Sequence, residues 1–196
     1  MINKSTQIYL ASKSPRRQAL LNQMGLLFEV QEIDVNESVN DGESGYEYVD
    51  RIATAKSRAG HLLVKNKRIP VLGADTCIVF NEEIIGKPRD KKDAIDILKK
   101  LSGNQHRVLT AIALSNESKC LSKVQASKVF FKDLSDEEIN AYVESDEPRG
   151  KAGAYAIQGL GAKFINNIEG SYSGIMGLPI FETAELLNEF NLSVNN

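Results

Sequence analysis

Several separated groups of residues in this sequence could do chemistry, and each has a plain structural alternative. Lys13, Arg16 and Arg17 crowd the start of what reads as a helix opened by Ser14-Pro15. A helix N-terminus already carries partial positive charge, so cations are unfavourable there. Beside the hydroxyls of Ser12 and Ser14 and free backbone N–H groups, they make an anion site with phosphate as the natural guest. The alternative is that the long side chains splay into solvent; the serines among the arginines, directly after a strand, favour the phosphate site. Lys56 falls in the middle of an apolar helix face made by Val49, Ile52, Ala53, Ala59 and Leu63. It either snorkels to the rim or points into a cleft toward an anion. Asp75 lies inside the apolar run Val71–Phe80, where a carboxylate is costly unless paired, hydrogen-bonded or bound to metal. It could equally sit at a bulge marked by Gly73 and bond neighbouring amides. Glu37 is a candidate partner carboxylate or a solvated loop residue. Gly86-Lys87-Pro88-Arg89 is a turn with two cations, and turn chemistry alone explains its Gly and Pro. In the stretch from Gly150 to Gly161, small residues would let a ligand approach the backbone, and Gln158 offers both a donor and an acceptor to a nucleobase edge. A plain turn is the alternative.

The elements that must position these residues follow from periodicity. Ile8–Ala11 reads as a strand, followed by a helix with Ser14 as N-cap, Pro15 at its first position and Gly25 as its stop. Leu27–Ile33 is a strand candidate, Gly45 to Lys65 a long amphipathic helix, and Val71–Phe80 a buried strand. Ala94, Ile97, Leu98 and Leu101 share one face of a helix closed by Gly103. Arg107–Leu114 and Ser122–Phe131 alternate as two strands, and Ser135-x-x-Glu138 is a capping box. Residues 150–177 are rich in glycine and predict loops and short strands; Gly170–Gly174 predicts a turn. A last helix runs from Glu182 to Phe190. Strands alternating with helices predict an α/β sandwich, and the adjacent strands after residue 105 make its sheet mixed.

Composition removes whole classes of function. With 24 Lys+Arg against 26 Asp+Glu the net charge is −2, so nothing draws the whole chain to nucleic acid or an anionic membrane. An aromatic-basic stripe for nucleic acid is missing as well. No apolar run approaches a membrane span, and the N-terminal run is too short for a signal peptide, so a cytoplasmic location is expected. Cys77 and Cys120 lack C-x-x-C spacing and read as buried thiols. His61 and His106 stand alone, which disfavours a histidine zinc site. There is no P-loop and no G-x-G-x-x-G, and Gly170-Ser-Tyr-Ser-Gly174 lacks the spacing of a nucleophile elbow.

Taken in order, these segments resemble the Maf family of nucleoside triphosphate pyrophosphatases. The resemblance rests on Leu10-Ala-Ser-Lys-Ser-Pro-Arg-Arg17, Val49 through Lys56 and Ala59, Gly73-Ala-Asp-Thr76, Gly86-Lys-Pro-Arg-Asp90 and Leu101-Ser-Gly103. It continues through Tyr142–Pro148, Ala152-Gly-Ala-Tyr-Ala-Ile-Gln-Gly159 and Gly177-Leu-Pro179. It implies one domain over residues 1–196, an elongated mixed β-sheet with flanking helices and two lobes around a central cleft, similar to the inosine triphosphate pyrophosphatases. It implies hydrolysis of nucleotides between the α- and β-phosphates, giving a monophosphate and pyrophosphate with a divalent cation, Mg²⁺ or Mn²⁺. By position, Asp75 matches the family's catalytic acidic residue, and Glu37, Lys56 and Lys87 match its other polar site residues; Asp75, alone or with Glu37, would then hold the metal. Ser12 and Arg16 match the phosphate loop. Arg16, Thr76 and Gln158 match the positions that separate the dTTP/UTP subgroup from the one preferring 7-methyl-GTP, and here they have the pyrimidine form. A nucleotide is then the expected partner, and a homodimer is a reasonable expectation from the prevalence of two-fold dimers among soluble enzymes. The competing class is a non-catalytic nucleotide-binding regulator of septation or growth. Sequence favours the enzyme, because Asp75 among cations repels a phosphate unless a metal lies between them.

Overall fold

The computed structural model describes residues 6–192. A single mixed sheet organises the chain, in the order β2-β1-β3-β5-β6-β7, with β4 paired to β3. β1 (Ile8–Leu10) runs parallel to β2 (Phe28–Val30) and to β3 (Val71–Phe80). β4 (Glu83–Ile85), β5 (Gln105–Ser115), β6 (Cys120–Phe131) and β7 (Ile165–Glu169) add antiparallel pairs. The flanking helices are α1 (Pro15–Gln23), α2 (Gly45–Leu63), α3 (Lys91–Leu101), α4 (Asp136–Glu144), α5 (Tyr172–Met176) and α6 (Ile180–Glu189). This is the mixed sheet with flanking helices that the pattern predicts. No helix among the described residues is long and apolar enough to cross a membrane.

The period-2 geometry of β3 splits its side chains between two cores. Cys77 and Val79 join Val49, Ile52 and Ala53 of α2, while Leu72 and Ala74 join Leu20, Leu21 and Leu187 on the other face. A further cluster around Leu98, Tyr142, Tyr155 and Phe164 closes the far end of the sheet. Gly73 is no kink. It is where the α2 backbone crosses the strand, and a Cβ there would lie 2.5 Å from the Ser57 amide nitrogen and closer still to the Ala53 carbonyl. Ser57 seals the crossing by donating to the Val71 carbonyl at 2.6 Å.

The capping box at Ser135 is present as predicted, and a second one, Ser44 with Glu47, starts α2. Three features depart from the sequence pattern. β2 covers only three of the residues from Leu27 to Ile33. β4 returns on β3 through Asn81 and Glu82, both at positive φ, a tight hairpin that Asn81 suits but that Glu82, standing where glycine is usual, does not advertise. Gly170–Gly174 is not a simple turn: Ser171 caps the short helix α5, which ends on left-handed Gly177 (φ +113°). Of the two thiols, Cys77 is buried, with its pKa pushed up to about 12 by burial and then by Asp75, whereas Cys120 is partly exposed.

Candidate active site

The site lies at a gap in the sheet edge. β1 pairs with β3 only through Tyr9 and Leu10, opposite Val71 and Leu72, and then turns away through Ser12–Ser14 into α1. β4 rejoins the same side of β3 at Ile78, because β5 occupies the other side. Between them Asp75 and Thr76 reach the gap from opposite faces of the strand, and a cleft of about 400 Å³ opens there. Ser12, Arg16, Glu37, Lys56, Asp75, Thr76, Lys87 and Gln158 all line it, so every site residue expected from sequence is brought to one place.

Lys56 does not snorkel. It is 7% exposed, and its Nζ donates to Asp75 Oδ1 at 2.7 Å and pairs with Glu37 Oε1 at 2.6 Å. The close crossing at Gly73 brings α2 near enough for this reach. Lys87 lies 3.5 Å from Glu37 Oε2, an ion pair rather than a good hydrogen bond. Burial pushes the Glu37 carboxyl up, but the hydrogen bonds and charges of Lys56 and Lys87 outweigh it and hold it below its ordinary range. Of the two other sequence cations, Lys13 lines the cleft and pairs with Glu32, while Arg89 lies outside it and pairs with Asp93.

At the start of α1, Ser14 makes no side-chain cap, which leaves first-turn amides without a capping oxygen. Ser12 Oγ accepts from the Ser14 amide at 3.2 Å and from Arg17 Nη1 at 3.1 Å. With both lone pairs engaged, its proton remains for an anion in the cleft. Arg16 Nε donates to the Met176 carbonyl and Arg17 Nε to the Gly177 carbonyl, so both arginines cap the C-terminal end of α5. Burial lowers the pKa of both guanidinium groups. Arg17 Nη2 also donates to Thr76 Oγ1 at 3.3 Å, tying the helix start to β3.

Three further residues belong to the site although sequence reasoning gave them no role of their own. Arg17 figured only as one cation among three, yet it joins Ser12, Thr76 and Gly177. Lys151 lines the cleft and donates to the Glu147 carbonyl; burial, and then Arg16, lower its pKa. Its signal was the Gly150-Lys151-Ala152 segment itself. Glu147 accepts from Tyr142 Oη, Leu160 N and Gly161 N, and so anchors the loop that carries Gln158. Gln158 is exposed, and its amide has no hydrogen-bond partner among the described residues.

Glu37 and Asp75 are the acidic pair of the cleft; no group of three or more potential metal-ligating side chains occurs among the described residues. The pair nevertheless fits a hard divalent ion. Both carboxylates already share one cation, the Lys56 ammonium, and Asp75 Oδ2 makes no hydrogen bond among the described residues. Mg²⁺ commonly takes one or two carboxylates and fills its remaining positions with water and substrate phosphates.

Residues 7–190 match the model of the Maf-like protein family. The chain is 49% identical to the dTTP/UTP pyrophosphatase of Escherichia coli K12, over 95% of this chain and 94% of that protein. It is 50% identical to the dTTP/UTP pyrophosphatase of Aromatoleum aromaticum, over 94% and 95% of the two chains. Among solved structures it is similar to the Ham1 protein of Staphylococcus aureus, at 18% identity and a TM-score of 0.44 over 66% of this chain and 72% of that one.

Proposed function

This chain belongs to the Maf family, and from that premise we propose that it hydrolyses dTTP and UTP between the α- and β-phosphates, releasing the monophosphate and pyrophosphate. The observation that carries the reading is the Glu37–Lys56–Asp75 constellation beside the uncapped start of α1, all within one cleft. A triphosphate brings about four negative charges, which accounts for cations converging from four separate segments. The family model spans nearly all of the chain, which supports a single domain.

Ser12, Arg16 and the first-turn amides of α1 bind phosphate oxygens, and Arg16, Lys56 and Lys87 neutralise the charge that grows on them as the anhydride breaks. Asp75, through its free Oδ2, orients the attacking water and takes its proton. Glu37 and Asp75 would hold Mg²⁺ or Mn²⁺, which when bound polarises phosphoryl oxygens and masks carboxylate from phosphate. Thr76 and Gln158 face the base, and exclusion of purines would rest on the size of the pocket around it.

The test is incubation of the purified protein with a panel of nucleoside triphosphates and Mg²⁺ or Mn²⁺, resolving every phosphate product. UMP or TMP with pyrophosphate, and little turnover of purines, is the expected result. Diphosphate with orthophosphate would move the cleavage to the β–γ bond and overturn the reading. Binding of UTP without turnover would favour a regulator of septation or growth instead. Asp75→Asn should lower kcat by at least about 100-fold while UTP binding by calorimetry stays largely intact; near wild-type kcat would remove Asp75 from the chemistry.

A further inference from the structure

Thr76 and Thr110 face each other across the β3–β5 ladder, and their hydroxyl oxygens lie 2.9 Å apart. Geometry between two hydroxyls does not say which one donates, but their neighbours decide it. Thr110 is fully buried, and its Oγ1 lies 2.8 Å from the Gly174 carbonyl oxygen, which can only accept. Were the Thr110 proton turned toward Thr76, two lone-pair-bearing oxygens would meet at 2.8 Å in a buried site with no proton between them. Thr110 therefore donates to Gly174, and Thr76 must donate to Thr110. On its other side Thr76 accepts from Arg17 Nη2. Its proton and one lone pair are spent, and all that it offers the cleft is a second lone pair.

We propose that Thr110 is a specificity-positioning residue, which by this relay holds Thr76 as a pure acceptor toward the base. The inference rests on the dTTP/UTP reading above and says how the choice among pyrimidines is made. Uracil and thymine carry a donor at N3, which an acceptor welcomes. Cytosine carries a bare lone pair at N3, which the fixed acceptor repels. Gln158 cannot make this choice alone, because its amide is unpinned and either end can turn to the ligand. The discrimination that a free amide leaves open thus falls to Thr76, and the residue enforcing it lies beneath the site, out of reach of any ligand.

The experiment compares kcat/KM for UTP and CTP in the wild type, Thr110→Val and Thr110→Ser. Valine keeps the shape and frees the Thr76 proton to donate to cytosine N3; serine keeps the hydroxyl and the relay. The UTP:CTP ratio should narrow about tenfold in Thr110→Val, the worth of one hydrogen bond, and return to within about twofold of the wild type in Thr110→Ser. A ratio is used because a general loss of packing lowers both substrates alike. An unchanged ratio in Thr110→Val, with UTP still cleaved to UMP and pyrophosphate, overturns the relay and leaves the pyrophosphatase reading standing. No cleavage of UTP by the wild type overturns both. Should the valine variant not fold, the wild type still decides: N3-methyl-UTP, which lacks the donor, should be turned over at least about tenfold less well than UTP, and equal turnover would overturn the inference.

Discussion

Lys56 holds Glu37 on one side and Asp75 on the other while nearly all of it is out of water. Its position on an apolar helix face was legible in the sequence, but not its direction, because a lysine stem covers apolar surface whether its head turns to the rim or to a cleft. Only the carboxylates from two other segments decide it. His106 reads the opposite way: it promises chemistry by type and is held as a packing residue. It is 3% exposed, its Nε2 lies 2.8 Å from Tyr155 Oη, its Nδ1 has no partner, and burial lowers its pKa to about 4 from 6.5. The folded chain keeps the imidazole neutral where the unfolded chain protonates it. The contribution is fully present above pH 6.5 and is lost as pH falls from there toward about 4, a loss of about 3 kcal/mol across the window. Urea midpoints of the wild type and His106→Gln at neutral pH and near pH 4.5 measure it. The wild type should lose more stability than the variant over that interval, and parallel losses would show that His106 is protonated in the fold.

At the scale of elements, α2 and β3 were readable almost to the residue, because a face of period 3.6 and an unbroken apolar strand are strong patterns. Less legible was how closely they pack. Gly73 looked like a kink in a strand, and its purpose appears only once the helix backbone lies across it. The short helix α5 was hidden for a related reason, since its end is capped by Arg16 and Arg17 from far away in sequence. The β3–β4 hairpin is local, and was hidden because its two-residue turn carries no glycine to mark it. Gly73→Ala tests the crossing. Backbone atoms of Ala53 and Ser57 stand where the new methyl would go, so no flexible side chain can yield, and α2 must move away as a unit. The expected cost is about 1–3 kcal/mol in urea unfolding. The same shift draws Lys56 from Asp75, so kcat should fall further than the change in stability alone explains. A variant as stable and as active as the wild type would mean that α2 does not depend on this contact.

At the scale of the whole molecule, charge is nearly balanced and unevenly placed. The net charge is −2, yet Lys13, Arg16, Arg17, Lys56, Lys87 and Lys151 are gathered at one cleft, while most other ion pairs are scattered over the exposed surface. Such a field is local. It draws a small, highly charged anion into a concave site, where low-dielectric walls concentrate its effect, but it gives an extended polyanion no continuous track to follow. Only Glu37 and Asp75 oppose it, and Lys56 answers both. Salt separates these behaviours. Raising KCl from about 50 to about 300 mM shortens the screening length to a few ångströms, and KM for UTP should rise by on the order of threefold with a smaller change in kcat. The exposed Lys87 should carry more of this sensitivity than the buried Lys56, because solvent ions reach it. Lys87→Gln should therefore flatten the salt dependence of KM, and duplex DNA should compete with UTP only weakly even at the lowest salt. A KM indifferent to salt, or inhibition by DNA at low concentration, would mean that the cleft is not the place where the molecule's positive field is concentrated.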